Sequence, residues 1–136
     1  TCRAYGERVA EDAGAGVGCQ YDIRHATAEG GYSWPLALKL LKNHVQTLAI
    51  KDFKWIKTGG GWTMKNVPLG EGMVDFDKYF SLLKELDIWA PITLHIEYPL
   101  YEGYNLTKKE KRKQALETIS KDVRTLKNML EKFGLV

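Results

Sequence analysis

The fold is decided by a short apolar stretch, Val45-Gln46-Thr47-Leu48-Ala49-Ile50-Lys51-Asp52-Phe53. Its length and its aliphatic residues are typical of a buried β-strand. Before it, Ser33-Trp34-Pro35 predicts the start of a helix, because proline is favoured in the first helical turn. After it, Asp75 predicts the cap of a helix over residues 76–86. A strand between two helices indicates an α/β fold.

The same alternation continues outward in both directions. Apolar runs predict one strand over residues 17–23 and another over residues 91–98. Residues 4–13 are interpreted as the end of a helix that glycines terminate. Residues 54–66 contain three consecutive glycines between aromatic segments, which predicts an inserted β-hairpin. Strands separated by helices imply parallel pairing through right-handed crossovers.

The last helix is the clearest element of the sequence. Thr107 and Glu110 have the spacing of a capping box, and Gly134 can end the helix. Its predicted apolar stripe consists of Leu116, Ile119, Val123, Leu126, Leu130 and Phe133. The run of charges over residues 108–113 is interpreted as a solvated helix face.

Length, composition and charge limit the classes of protein to consider. The 136 residues suit a single domain spanning 1–136, with 44% apolar and 27% charged residues. A net charge of +3 gives no general reason to expect nucleic acid, and no apolar run reaches the ~20 residues that span a bilayer. Two cysteines without metal or redox spacing predict a cytoplasmic protein. The start, which has no Met and no signal peptide, suggests a processed product or part of a longer protein.

Polar residues gather at the C-terminal ends of the predicted strands, where parallel α/β sheets bind ligands. The strands end in Asp22, in Lys51 and in the pair His95 and Glu97. Strand alternation places Lys51 on the face of Thr47, and His95 and Glu97 on one face of their own strand. Carboxylates and imidazole are usual ligands of catalytic divalent metals. The sequence therefore predicts a polar, metal-capable site at this end.

Four segments, taken in order, resemble the last third of the xylose isomerase-like TIM-barrel family, to which sugar-phosphate isomerases and epimerases belong and whose fold endonuclease IV shares. The segments are Tyr21-Asp22-Ile23-Arg24-His25-Ala26-Thr27-Ala28-Glu29-Gly30-Gly31, Ile50-Lys51-Asp52, Pro68-Leu69-Gly70-Glu71-Gly72-Met73-Val74-Asp75-Phe76 and Ile92-Thr93-Leu94-His95-Ile96-Glu97-Tyr98. The resemblance covers residues 4–133. It implies a partial TIM (βα)8 barrel of three parallel βα units, strands six to eight, with a small hairpin and a long C-terminal helix.

The resemblance also implies a chemistry: metal-dependent isomerisation or epimerisation of a small sugar, sugar phosphate or polyol in the complete barrel. Asp22, Glu97 and His95 would be ligands of a divalent metal, which would be Mn, Mg, Co or Zn. Glu97 would also act as the acid/base carboxylate, and Lys51 or His25 would stabilise the developing oxyanion.

Substrate contacts are implied for Arg24, His25, Trp55 and Glu71. The sequence departs from the family pattern at Ala49, where a histidine is usual, and a first glutamate ligand would lie on a fourth strand that this chain lacks. The expected partners are a small sugar, with neither nucleic acid nor membrane, and either further copies of the chain or the missing N-terminal part of the barrel, because exposed strand edges invite pairing.

Two other functions stay open. One is phosphodiester cleavage as in endonuclease IV, which would need more histidine ligands and a basic groove. The other is a non-catalytic half-barrel, truncated or engineered, that only oligomerises. Structural roles are open as well: Asp22 could cap a loop, Lys51 and Asp52 could form a local ion pair, and His95 could be an interior histidine. Residues 70–72 could be only a flexible turn, and the aromatic residues Trp55, Trp62 and Tyr98 could pack rather than stack on a sugar.

Overall fold

A computed structural model describes residues 18–136, so the helix expected over residues 4–13 and the first residue of the expected strand 17–23 lie outside the described residues. The strands are β1 (Cys19–Asp22), β2 (Val45–Ile50), β3 (Asp52–Thr58), β4 (Gly61–Val67) and β5 (Ile92–Leu94). The helices are α1 (Ile23–Gly30), α2 (Trp34–Leu41), α3 (Phe76–Glu85) and α4 (Lys108–Phe133), with a 3-10 turn at Gly31–Ser33. None of these helices combines the length and the apolar composition needed to cross a lipid bilayer.

The chain divides into two compact units. The first contains the residues up to Ile50 together with Val74–His95, and the second contains Lys51–Met73 together with Ile96–Val136. In the first unit, a sheet of order β1-β2-β5 pairs parallel throughout. Its register places Asp22 opposite Ala49, and Ala49 opposite Thr93. The predicted α/β fold with a parallel sheet is therefore confirmed.

The core of the first unit forms where helices cover the central strand. Leu48 and Ile50 of β2 are fully buried, as are Tyr79 and Phe80 of α3. The Tyr79 ring stacks on Tyr21 of β1 with 6.2 Å between centroids. Asp75 caps α3 as predicted, because its side chain accepts a hydrogen bond from the Lys78 N–H at 3.0 Å.

The second unit contains an antiparallel ribbon, β3–β4, and the long helix α4. The ribbon register pairs Lys54 with Lys65 and Trp55 with Met64. Helix α4 has the predicted capping box at Thr107 and the predicted glycine end at Gly134. Its buried stripe differs from the prediction, since Val123 and Leu116 are exposed and the buried positions are Asp122, Leu126 and Leu130.

The structure corrects the sequence-based interpretation at two strands and one helix. The strand expected over residues 45–53 ends at Ile50, because the chain enters the ribbon at Asp52. The strand expected over residues 91–98 is only Ile92–Leu94, and its ladder ends where the His95 N–H donates to the Ile50 carbonyl. Helix α1 was not expected; it starts directly after β1 because the Asp22 side chain caps it.

Candidate active site

Lys51 and Glu97 form an ion pair in the second unit. Lys51 directly follows β2 and is buried, and its Nζ lies 2.8 Å from Glu97 Oε1. The Glu97 side chain is 43% exposed. Asn66 of β4 donates from its side-chain amide to the Glu97 carbonyl at 3.2 Å and to Glu97 Oε2 at 3.4 Å. An ammonium and an amide therefore fix a carboxylate that solvent can still reach.

Asp52, the neighbour of Lys51, has a different role. It is 2% exposed, and its carboxylate accepts the backbone N–H groups of Phe53 at 2.8 Å, Gly70 at 3.0 Å and Gly72 at 2.8 Å. Gly70 has φ +84°, which favours glycine, and a Cβ on Gly72 would collide with the Asp52 carboxylate. The turn over residues 70–72 is thus tied to the start of β3. Sequence reasoning missed this role, because the partners are distant backbone groups that leave no local pattern.

A second buried carboxylate, Asp122, ties α4 to two segments of the same unit. Its Oδ2 accepts the Tyr98 hydroxyl at 2.6 Å, and its Oδ1 accepts the Leu69 N–H at 3.3 Å. Burial raises the pKa of the Tyr98 hydroxyl, and the hydrogen bond to Asp122 and the negative charges of Asp122 and Glu71 raise it further. The sequence carried a weak signal for this residue, because Asp122 lies three positions after Ile119 and four before Leu126, on the helix face of both.

Glu71 and Trp55 occupy different surroundings in the second unit. The Glu71 carboxylate pairs with Lys121 Nζ of α4 at 2.5 Å. Trp55 is 41% exposed, and its ring packs edge-on against Phe53 with 6.1 Å between centroids. Trp62 is more exposed than Trp55, at 68%. The exposed indoles leave surface that a sugar ring could cover.

Asp22, Arg24 and His25 lie together at the start of α1 in the first unit. Asp22 Oδ1 accepts the His25 backbone N–H at 3.1 Å, so the capping role weighed for this aspartate is real. The His25 ring lies 3.2 Å from Glu29 Oε1 and 3.8 Å from Asp22 Oδ2. Arg24 is buried, with its guanidinium 3.3 Å from the His25 ring. The start of α1 thus places an imidazole between two carboxylates and beside a guanidinium.

His95 lies just beyond β5, with its Nε2 3.3 Å from the Thr93 hydroxyl oxygen. The single Thr93 hydroxyl proton is donated to the Leu48 carbonyl at 3.2 Å. The Thr93 hydroxyl and the His95 ring therefore lie next to each other at the end of β5.

The donor set for a metal is incomplete in the part of the chain that the structure describes. Within residues 18–136, no three His, Cys, Asp or Glu side chains are arranged so that they could share one ion. A catalytic site normally uses about three protein ligands. Ala49 is fully buried at the position where the family pattern has histidine. These residues by themselves therefore do not fit the divalent ion that the resemblance implies.

Comparisons with known proteins address the whole chain. A family model described as a xylose isomerase-like TIM barrel matches residues 6–128. Among solved structures, the chain is similar to a xylose isomerase domain protein from Planctomyces limnophilus, with a TM-score of 0.70 and 19% sequence identity, a likeness that shows the fold alone. That match covers 100% of this chain, which spans 44% of the length of the other. No protein of curated function matches. Because the family model spans most of its residues, the chain belongs to the xylose isomerase-like TIM barrel family.

Proposed function

We propose that a complete barrel containing this chain isomerises or epimerises a small sugar, sugar phosphate or polyol by moving a proton at the carbon next to a carbonyl. The family includes sugar isomerases and epimerases as well as endonuclease IV. The ion pair between Lys51 and Glu97 carries the proposal within this chain, because it couples a reachable carboxylate to a buried ammonium. These are the two groups that enolisation requires.

In this proposal, Glu97 is the general base. Its carboxylate takes the proton from the carbon beside the carbonyl and, in an isomerisation, returns it to the neighbouring carbon; in an epimerisation, a second acid on the opposite face would supply the proton. A positioned acid/base group of this kind contributes about 10²–10⁴-fold to the rate. Lys51, 2.8 Å from the Glu97 carboxylate, supplies positive charge where the substrate oxygen becomes negative. Asn66 holds the carboxylate in one orientation through its amide.

The other roles rest on the resemblance and on position in the fold. Trp55 shares a face of the ribbon with Asn66, since the residue paired with Trp55 is two positions from Asn66. This placement supports stacking of Trp55 on the sugar. Arg24 and His25 are proposed as substrate contacts at the end of β1, and Glu71 as a contact in the turn that Asp52 holds.

A divalent metal, Mn, Mg, Co or Zn, belongs to the proposal through the family. Asp22, Glu97 and His95 stay predicted ligands, and the remaining donors would come from outside residues 18–136. The proton-transfer roles belong to the chain's own side chains. No observation favours phosphodiester cleavage or a non-catalytic half-barrel over the isomerase.

The substitution Glu97→Gln in the full-length protein tests this function. The variant keeps the shape and the hydrogen bond from Asn66 to the backbone carbonyl of residue 97 but removes the base. We expect exchange of the substrate's carbon-bound hydrogen with D₂O to slow by about 10²–10⁴-fold. The measurement is proton NMR of ketopentoses and ketohexoses, free and phosphorylated, in D₂O with added Mn²⁺.

Glu131→Gln on α4 is the matched control, because Glu131 is exposed and far along the chain from the pair. The Glu131→Gln variant should exchange the substrate's carbon-bound hydrogen at the wild-type rate. Circular dichroism of both variants confirms folding. Equal exchange in wild type and Glu97→Gln would show that the base is another residue.

A further inference from the structure

The second unit contains a groove whose lining does not include the Lys51–Glu97 pair. Its volume is about 470 Å³, and its lining comes from the β3–β4 ribbon, from residues 98–102 and from α4. Small-molecule sites commonly measure about 300–1,000 Å³. The groove therefore has the size of a site for one small metabolite.

Two lysines face each other on the ribbon side of the groove. Lys54 and Lys65 are register partners across β3 and β4, and both line the groove. Within residues 18–136, no hydrogen bond or ion pair joins either ammonium to another residue. Like charges directly opposite each other on an antiparallel pair are destabilising. An anion between the two ammonium groups would replace this repulsion with two charge-assisted hydrogen bonds.

The rest of the lining offers partners for hydroxyl groups. Glu102 precedes α4, and Gln114 and Glu117 lie on it. The Gln114 carbonyl oxygen accepts the Glu102 backbone N–H at 3.1 Å, which orients this amide. The ring of Tyr101 is 44% exposed and can cover a carbon chain. Carboxylates that accept from hydroxyls, combined with two cations, suit a phosphorylated polyol.

We propose that this groove binds a small phosphorylated polyol, with Lys54 and Lys65 on the phosphate and with Glu102 and Glu117 on hydroxyl groups. The inference goes beyond the proposed function, because Glu97 is not among the residues that line the groove.

Calorimetric titration of the full-length protein with ribose 5-phosphate, ribose and inorganic sulfate tests the groove. We expect Lys54→Gln and Lys65→Gln each to weaken ribose 5-phosphate binding about tenfold, because each removes one charge-assisted hydrogen bond. The weak affinity for ribose should not change. Lys57→Gln is the matched control, since it makes the same charge change on the opposite face of the same strand.

A stability measurement separates binding from folding. Without ligand, Lys54→Gln and Lys65→Gln should melt at or slightly above the wild-type temperature, because each substitution removes the like-charge pair. A lower melting temperature would mean that the lysines stabilise the ribbon and would overturn the proposal. So would wild-type affinity for ribose 5-phosphate in both variants, equal loss in Lys57→Gln, or sulfate bound as tightly as the sugar phosphate.

The groove and the catalytic proposal can fail separately. Glu97→Gln should bind ribose 5-phosphate with wild-type affinity while hydrogen exchange is lost. If the lysine variants lose affinity for ribose 5-phosphate but wild type exchanges hydrogen with no sugar, the phosphate site is supported and the isomerase proposal is contradicted. If Glu97→Gln loses hydrogen exchange but both lysine variants bind ribose 5-phosphate with wild-type affinity, the isomerase proposal is supported and the phosphate site is contradicted.

Discussion

At the scale of single residues, buried acids account for much of the second unit. Asp52 and Asp122 are each 2% exposed; Asp52 accepts two backbone N–H groups from the turn over residues 70–72, and Asp122 accepts the distant Leu69 N–H. Asp122 had a weak sequence signal, because it lies three positions after Ile119 and four before Leu126 and so shares a helix face with both. Asp52 had none, because its neighbour Lys51 suggested a local pair and its glycine partners follow about 20 residues later.

The Tyr98 hydroxyl predicts how stability depends on pH. Its pKa in the folded state lies above the ordinary value of about 10, chiefly through burial and then through Asp122. The unfolded chain therefore loses this proton first, so the stabilisation is complete below about pH 10 and is lost as pH rises through the folded-state pKa. Between pH 9 and pH 11, the free energy of unfolding of Tyr98→Phe should therefore fall less than that of wild type. Urea unfolding at each pH measures this difference.

A matched variant excludes a general effect of removing a tyrosine. Tyr32 is 98% exposed, so Tyr32→Phe should follow the wild-type pH dependence. The pKa of Tyr79 is also raised, first by burial and then by the charges of Tyr21 and Asp22. Because wild type and both variants contain Tyr79, its contribution to the pH dependence is the same in all three proteins. A Tyr98→Phe curve parallel to wild type would show that Asp122 does not hold this proton.

At the scale of elements, features that depend on neighbours along the chain were predicted, and features that depend on pairing between distant segments were not. Helix α3 with its Asp75 cap and helix α4 with its capping box follow from neighbours along the chain. Helix α1 had a signal too, since Asp22 precedes several helix formers and Gly31 follows them. No local sequence signal marked the short length of strand β5, because this length depends on where its neighbour β2 ends.

The turn over residues 70–72 should depend on Asp52. In Asp52→Asn, an NH₂ group replaces one acceptor, so at least one buried backbone N–H loses its partner. We expect the free energy of unfolding to fall by about 1–3 kcal/mol, as measured by urea denaturation.

Asp87→Asn is the control for Asp52→Asn. Asp87 is exposed and has φ +56°, which asparagine tolerates. Its free energy of unfolding should change by less than about 0.5 kcal/mol. An equally small change in Asp52→Asn would mean that the turn does not need this carboxylate.

At the scale of the molecule, the strand–helix alternation was enough to predict the parallel order β1-β2-β5, and the resemblance of four sequence segments was enough to predict the family. The meeting of Lys51 with Glu97 was expected only as a gathering of polar groups at strand ends. The groove was not expected at all, because its walls come from the ribbon and α4, which no periodicity relates. Long-range packing of this kind leaves little trace in one sequence.

The sheet predicts self-association of the 136-residue chain. Within residues 18–136, β1 and β5 are the outer strands, and each pairs with β2 alone. Open edges favour pairing with another strand. Light scattering coupled to size-exclusion chromatography should give a dimer or larger species. A species of 15.5 kDa that persists across a concentration series would contradict the prediction.

The ion pair between Lys51 and Glu97 also sets an order of events during translation. Its two residues are 46 positions apart. At about 5–20 residues per second, a ribosome needs several seconds to pass from one codon to the other. The turn held by Asp52 needs only 20 further residues, so it can close first. The carboxylate proposed as the base is therefore synthesised after the turn held by Asp52 can have closed, and a nascent chain cannot have the proposed activity until Glu97 is in place.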